Sequence, residues 1–183
     1  MRDQAFVAAA LALLVASSAA AHEPTVSLDP TAALRTSQAA VGREIGERRL
    51  RDIGGRPVNL ARYRGKPLVV NLVYTACSDT CPVIVQSLAR AVETAQSALG
   101  RDRFAVVTIG FDSRTDTPER MRAFARAQGI DLPNWEFLSA DHTTVDALTE
   151  ELGFIYFASP NGIDHLAQVS VIDASGRVYT QVY

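Results

Sequence analysis

Two hydrophobic patterns alternate along this chain, and their order predicts an α/β domain. Nearly continuous apolar runs at residues 68–74 and 104–111 are typical of strands buried on both faces. Apolar residues at helical spacing follow each run, over residues 82–100 and 117–129, and both stretches end at a glycine. The pattern therefore predicts a strand-helix-strand unit with a second helix behind it.

Shorter patterns flank this unit. Residues 51–60 contain a turn around Gly54, Gly55 and Pro57, which predicts a hairpin ahead of the first buried strand. Residues 135–138 are predicted to form a further strand, and apolar positions within residues 145–153 predict a further helix.

Two strand patterns close the chain, at residues 166–172 and 177–182, and a turn at residues 173–176 joins them. The whole order is that of a thioredoxin-like α/β fold. We therefore expect a central mixed sheet flanked by helices, with the early hairpin as an N-terminal extension.

The N-terminus has the pattern of a secretory signal peptide. Residues 1–21 combine Arg2, an apolar run and a series of small residues that ends just before His22. The apolar run is shorter than the roughly 20 residues that span a bilayer, although an uncleaved membrane anchor is the alternative. We expect residues 22–48 to be a flexible arm with at most a short helix near its end, and residues 49–183 to be the folded domain.

Composition excludes some classes of partner. The 183 residues include 48% hydrophobic ones, enough for one domain with its own core, and the net charge of −2 offers no basic surface for nucleic acid. We expect no nucleic-acid partner, a periplasmic location, and contact with the membrane only through partners or through an uncleaved leader.

The residues that indicate chemistry are Cys77 and Cys81, which lie where the first buried strand gives way to a helix. Four-residue spacing brings two sulfurs to one side of a helical turn, close enough to form a disulfide or to hold one ion. A position at the helix N-terminus would favour the thiolate of Cys81, which is the nucleophilic and the metal-binding form.

His165 is the natural third ligand, and two thiolates with an imidazole form a soft site suited to Cu(I) and acceptable to Cu(II) or Zn(II). Copper is favoured outside the cytosol.

His142 follows Asp141 at a predicted helix start and is interpreted as a surface residue. His22 could bind copper weakly as a mature N-terminus, or be merely solvated. Asp79 and Asp164 are either residues that orient the ligands or turn residues.

Other roles for the cysteine pair stay open. A thiol-disulfide oxidoreductase would need Cys77 and Cys81 without His165. A thiol peroxidase is a third possibility, and a static disulfide closing so short a loop would add little stability. A purely structural exported domain is the last alternative.

From about residue 50 to residue 183 the chain resembles the Sco/SenC family of copper-binding, thioredoxin-fold proteins. The segment 77–82, Cys-Ser-Asp-Thr-Cys-Pro, is similar to that family's Cys-Pro-x-x-Cys-Pro loop. Residues 110–112 and 116–118 are similar to its segment after the second strand, and Asp164 and His165 are similar to its histidine ligand.

The resemblance implies one copper ion, Cu(I) or Cu(II), bound by Cys77, Cys81 and His165. It also implies maturation of the dinuclear copper centre of cytochrome c oxidase, with the copper-bearing oxidase subunit as partner and another periplasmic copper chaperone as a further partner. Related members are proposed to reduce the cysteines of that subunit. If the chain is an enzyme, it is expected to be such a thiol-disulfide oxidoreductase, with Cys77 and Cys81 as the redox pair.

The chain departs from the family pattern in several places. Ser78 replaces a proline, which should loosen the loop without removing a ligand. Leu166 follows the histidine where a small polar residue is common, and no pattern for the family's last helix follows the final strand. The family is also usually tethered to a membrane, whereas this leader is predicted to be cleaved.

Overall fold

The computed structural model describes residues 28–77, 80–160 and 162–183. The predicted signal peptide, His22, Ser78 and Asp79 lie outside these ranges.

Nine strands, four α-helices and one short 3-10 helix make up the described part of the chain. Their bounds, in chain order, are α1 Pro30–Gln38, β1 Arg49–Asp52, β2 Pro57–Asn59, the 3-10 helix Leu60–Tyr63, β3 Leu68–Val73, α2 Thr80–Leu99, β4 Ala105–Gly110, α3 Pro118–Gln128, β5 Trp135–Ser139, α4 His142–Leu152, β6 Tyr156–Ser159, β7 Gly162–His165, β8 Val169–Ile172 and β9 Val178–Val182.

Seven of the strands form one sheet in the order β2-β1-β5-β4-β3-β8-β9. β3, β4 and β5 pair in parallel, with Val70 opposite Val107 and Val107 opposite Glu136. β1 and β8 join this parallel centre in antiparallel orientation. The sheet is therefore mixed, as predicted, and the β1–β2 hairpin extends one of its edges.

Helices cover both faces of this sheet. Val70 of β3 lines a small cavity with Leu148 and Leu152 of α4, whereas Val69 lines a groove with Leu88 of α2. Because successive residues of a strand point to opposite faces, α2 and α4 lie on opposite sides. Every residue of β4 is buried in this core, which explains its nearly continuous apolar pattern. The architecture confirms the predicted α/β class.

Capping residues set the ends of the later helices as the sequence predicts. Thr117 caps α3, Asp141 caps α4, and each side chain accepts a hydrogen bond from an amide of the first turn. Gly129 and Gly153 end these helices in the left-handed conformation that glycine adopts without strain.

The segment predicted as a flexible arm differs from that expectation where the structure describes it. Pro30–Gln38 forms α1, nearer the start of the segment than the expected short helix. The carboxylate of Asp29 accepts hydrogen bonds from two amides of the first turn, and proline at the first helical position suits the helix start. Ser37 is buried and accepts a hydrogen bond of 2.8 Å from the hydroxyl of Tyr183, so α1 packs on the domain.

The hairpin of β6 and β7 was not predicted. Its two strands are four residues each and largely half-exposed, so neither shows a clear apolar pattern. The strand expected over residues 166–172 begins only at Val169, and His165 ends β7 instead of preceding β8 directly. Over the ranges that the structure describes, no helix is both long and apolar enough to cross a membrane.

Candidate metal centre

The two cysteines lie where β3 leads into α2, with Cys77 in the connection and Cys81 at the start of the helix. The backbone N–H of Cys77 donates to the carbonyl of Tyr74 over 3.1 Å, which closes a turn directly after β3. Cys81 lies in the first turn of α2, where its own N–H has no partner within the helix, and this N–H donates to Cys77 Sγ over 3.3 Å. Both residues are present as thiols.

The two thiols differ in environment. Cys81 is completely buried, whereas Cys77 is half-buried. Burial raises the pKa of the Cys81 thiol to about 12, and the nearby Cys77 also raises it, although a backbone hydrogen bond with Tyr74 opposes the shift. Burial thus opposes the stabilisation of the Cys81 thiolate that is expected from its position at the helix N-terminus.

His165 reaches the cysteine loop from the β6–β7 hairpin. Its Nε2 lies 3.8 Å from Cys81 Sγ, although 84 positions separate the two residues in the sequence. Its Nδ1 lies 3.0 Å from the carbonyl oxygen of Leu166. Because a carbonyl can only accept, Nδ1 carries the proton and Nε2 presents its lone pair towards the sulfur.

Three aromatic rings surround the imidazole of His165. The ring centroids of Phe111 and Phe154 lie 5.5 Å from it, and that of Tyr74 lies 6.1 Å from it with the planes nearly perpendicular. Phe111 also contacts the rings of Tyr74 and Tyr156. This packing limits rotation of the imidazole and so holds Nε2 in position.

Asp116 supports the same loop from the next strand connection. Its Oδ1 accepts hydrogen bonds of 2.8 Å from both the N–H and the hydroxyl of Thr75, and its Oδ2 accepts one of 2.9 Å from the N–H of Asp112. Burial raises its pKa, although the bonds from Thr75 oppose that effect. In the sequence, Asp116 is recognisable only as part of a family-like segment, and its burial and hydrogen bonds are not predicted.

The remaining candidates take other positions. Asp164 accepts a hydrogen bond of 3.1 Å from the Ser159 hydroxyl across the β6–β7 hairpin, which is the turn role considered for it. The side chain of His142 is 77% exposed and pairs with Asp146 at the start of α4, in agreement with its interpretation as a surface residue. Asp79 and His22 lie outside the described ranges.

The contact between Cys81 and His165 fits a soft metal ion. With the bond lengths that zinc makes, about 2.3 Å to sulfur and 2.0–2.1 Å to nitrogen, two ligands of one ion lie about 3.6–3.8 Å apart at angles of about 110–120°. The observed separation of 3.8 Å is in this range. A thiolate and a neutral imidazole also suit Cu(I), Cu(II) and Zn(II) by their chemistry.

The three predicted ligands are connected by two pairwise contacts. Cys77 contacts the backbone of Cys81, and Cys81 contacts the ring of His165. Among the residues that the structure describes, no three or more His, Cys, Asp or Glu side chains already form a group that could hold a metal ion.

The chain belongs to the SCO1/SenC family, whose model matches residues 37–183. No curated protein sequence matches the chain significantly. The family match includes the cysteine loop, the Asp116 connection and the hairpin that carries His165.

Solved structures place the fold among those of Sco proteins, which are thioredoxin-like, and confirm the predicted fold. A candidate electron transfer protein of Aquifex aeolicus VF5 is 26% identical over 78% of this chain and 83% of that one, with a TM-score of 0.71. Bradyrhizobium japonicum ScoI with copper bound is 24% identical over 78% and 89%, with a TM-score of 0.62. BsSco, described with a disulfide switch as a member of the Sco family of cytochrome c oxidase assembly proteins, is 16% identical over 76% and 83%, with a TM-score of 0.66.

Proposed function

We propose that this chain is a copper metallochaperone that binds one copper ion through Cys77, Cys81 and His165 and serves maturation of the dinuclear copper centre of cytochrome c oxidase. The observation that carries the proposal is the 3.8 Å separation of Cys81 Sγ and His165 Nε2, with Cys77 Sγ against the backbone N–H of Cys81. Membership of the SCO1/SenC family and the copper-bound Bradyrhizobium relative support copper as the ion.

The chain's own residues prepare each ligand differently. The carbonyl of Leu166 holds the proton on Nδ1 of His165, which leaves Nε2 ready to bind without losing a proton. Cys81 must lose its proton to bind, and a metal cation replaces that proton at a buried sulfur. Cys77 is the more accessible sulfur and is the ligand best placed to pass copper to a partner.

The proposal includes an oxidase partner and export from the cytosol, each with its own support. BsSco is described as belonging to a family of cytochrome c oxidase assembly proteins, and we extend that role to this chain.

We also propose that residues 1–21 are cleaved in the periplasm, which leaves His22 as the mature N-terminus. N-terminal mass spectrometry of the exported protein should detect a chain beginning at His22, and a retained Met1 would contradict cleavage.

Thiol-disulfide exchange is a second candidate, favoured by the unequal exposure of the two thiols. Cys77 is accessible enough to attack a disulfide of the oxidase subunit, which forms a mixed disulfide and releases one partner thiol. Buried Cys81 would then attack Cys77 Sγ, release the second partner thiol and leave a Cys77–Cys81 disulfide. Two electrons pass to the partner, and His165 takes no necessary part.

Anaerobic copper titration of the reduced mature protein distinguishes the two functions. We expect one Cu(I) per chain in the native protein and an affinity at least about a hundredfold lower in His165→Ala, because a direct ligand is lost. His142→Ala is the matched control, since it removes an exposed histidine, and it should bind like the native protein. Unchanged copper affinity in His165→Ala would refute the three-ligand site.

Disulfide reduction by the same variants completes the comparison. A copper site that requires His165, together with slow reduction of an oxidase-subunit disulfide peptide, supports the chaperone. Equal and rapid reduction of that peptide by native protein and His165→Ala, without tight copper binding by either, supports the oxidoreductase instead.

A further inference from the structure

Tyr74 contacts both halves of the candidate metal centre. It is the residue after β3, its side chain is buried, and its carbonyl accepts the hydrogen bond from the N–H of Cys77. Its phenol also lies near the side chain of Cys77. Tyr74 thus holds the cysteine loop by its backbone and places its hydroxyl beside the first thiol.

The same hydroxyl contacts the hairpin that carries His165. The N–H of Ile163, two residues before the histidine in β7, lies 3.4 Å from the Tyr74 oxygen. Gly162 approaches that oxygen so closely that a Cβ at this position would lie 2.8 Å from it, at a φ of +125°. The hairpin therefore packs directly on the hydroxyl, and the contact depends on the absence of a side chain at Gly162.

The hydrogen-bonding capacity of the phenol suits this double contact. The oxygen accepts from Ile163, so the O–H remains available to donate towards the cysteine loop. Its ring also meets the imidazole of His165 edge to face, with centroids 6.1 Å apart.

We propose that the Tyr74 hydroxyl is a positioning group that joins the β7 hairpin to the cysteine loop and so sets the separation of His165 from the two sulfurs. The proposal rests on the proposed copper site for its functional consequence. A phenylalanine at this position keeps the ring packing and loses only the connection through oxygen.

Tyr74→Phe tests the proposal, with Tyr63→Phe as the matched control. Both tyrosines are buried, 8% and 6% exposed, but Tyr63 precedes the opposite end of β3. In Tyr74→Phe we expect one copper per chain, an affinity lowered about two- to tenfold as for one lost hydrogen bond, and a changed thiolate-to-Cu(II) charge-transfer spectrum. Tyr63→Phe should keep the native affinity and spectrum. A general effect of losing a buried hydroxyl would instead appear in both variants.

A measurement without copper separates this proposal from the proposed function. Amide hydrogen exchange should be faster at Ile163 in Tyr74→Phe than in the native protein and Tyr63→Phe, and the ¹⁵N shifts of the His165 ring should change. Native exchange at Ile163 with native ring shifts would overturn the proposal, whether or not the protein binds copper. Faster exchange and changed ring shifts in a protein that does not bind copper would support the positioning role while refuting the copper site.

Discussion

Cys81 Sγ and His165 Nε2 lie 3.8 Å apart, and they come from separate parts of the fold, the first turn of α2 and the end of β7. The sheet brings these parts together, because β3 delivers the cysteine loop to the end where the β6–β7 hairpin folds over it. The contact favours a metal site over a static disulfide, because a neutral imidazole nitrogen and a thiolate at this separation suit one soft ion.

Oxidation of the cysteine pair should abolish copper binding. A mild thiol oxidant removes two electrons and two protons from Cys77 and Cys81 and forms one S–S bond, so neither sulfur remains a thiolate ligand. We expect the oxidised protein to bind copper at least about a hundredfold more weakly, because two of three ligands are lost. Titration before oxidation, after it and after reduction measures the effect, and full binding by the oxidised protein would contradict the assigned ligands.

Asp116→Asn should change how stability depends on pH. Burial raises the pKa of Asp116 in the folded protein above that in the unfolded chain, so its protonated form is favoured by folding. The native protein should therefore gain stability relative to Asp116→Asn as the pH falls through the raised pKa towards about 3.8, and lose that gain as the pH rises.

Urea unfolding of both proteins between pH 4 and pH 7 measures this difference. Asp102→Asn is the control, because Asp102 is an exposed aspartate outside this connection. A constant difference in unfolding free energy between native protein and Asp116→Asn would show that Asp116 does not titrate as burial predicts.

Gln181→Ala should destabilise the domain through a buried polar network. Gln181 Nε2 donates to the carbonyl of Leu152 over 3.0 Å, and its Oε1 accepts from the Ser170 hydroxyl over 2.6 Å. Truncation removes both bonds and leaves the buried Ser170 O–H without this acceptor, which costs about 1–3 kcal/mol in unfolding free energy. The exposed residue Gln38 is the control, since Gln38→Ala should change stability by less than about 0.5 kcal/mol. Equal denaturation midpoints for the two variants would contradict the importance of this network.

Local patterns predicted the core of the fold and its helix ends. β3 and β4 are buried on both faces, so their apolar runs were evident, and Thr117, Gly129 and Gly153 mark helix ends by their own conformational preferences. The β6–β7 hairpin was not predicted because its strands are short and half-exposed. Helix α1 was placed too late although Asp29 and Pro30 are a local start signal, because its stability depends on packing with Tyr183, which the local pattern does not show.

Local sequence patterns indicated the candidate ligands of the site but not the residues that support them. The cysteine pair could be recognised from spacing and from its position after a strand. His165 could be recognised from its position just before the predicted strand at residues 166–172, and the family resemblance added support. The supporting role of Asp116 could not be recognised, because its burial results from a tertiary contact: a Cβ on Gly110 would lie 2.4 Å from Cβ of Asp116. A glycine at the end of a buried strand, six residues before an acidic residue, is the only local trace of that contact.

X-ray absorption spectroscopy of the copper-loaded protein tests the central claim most directly. For Cu(I) we expect two sulfur ligands and one imidazole nitrogen in the native protein and in His142→Ala. The nitrogen scattering should disappear in His165→Ala, and one sulfur should be lost in Cys77→Ser and in Cys81→Ser. A copper environment of nitrogen and oxygen alone, or one unchanged in His165→Ala, would contradict the site formed by Cys77, Cys81 and His165.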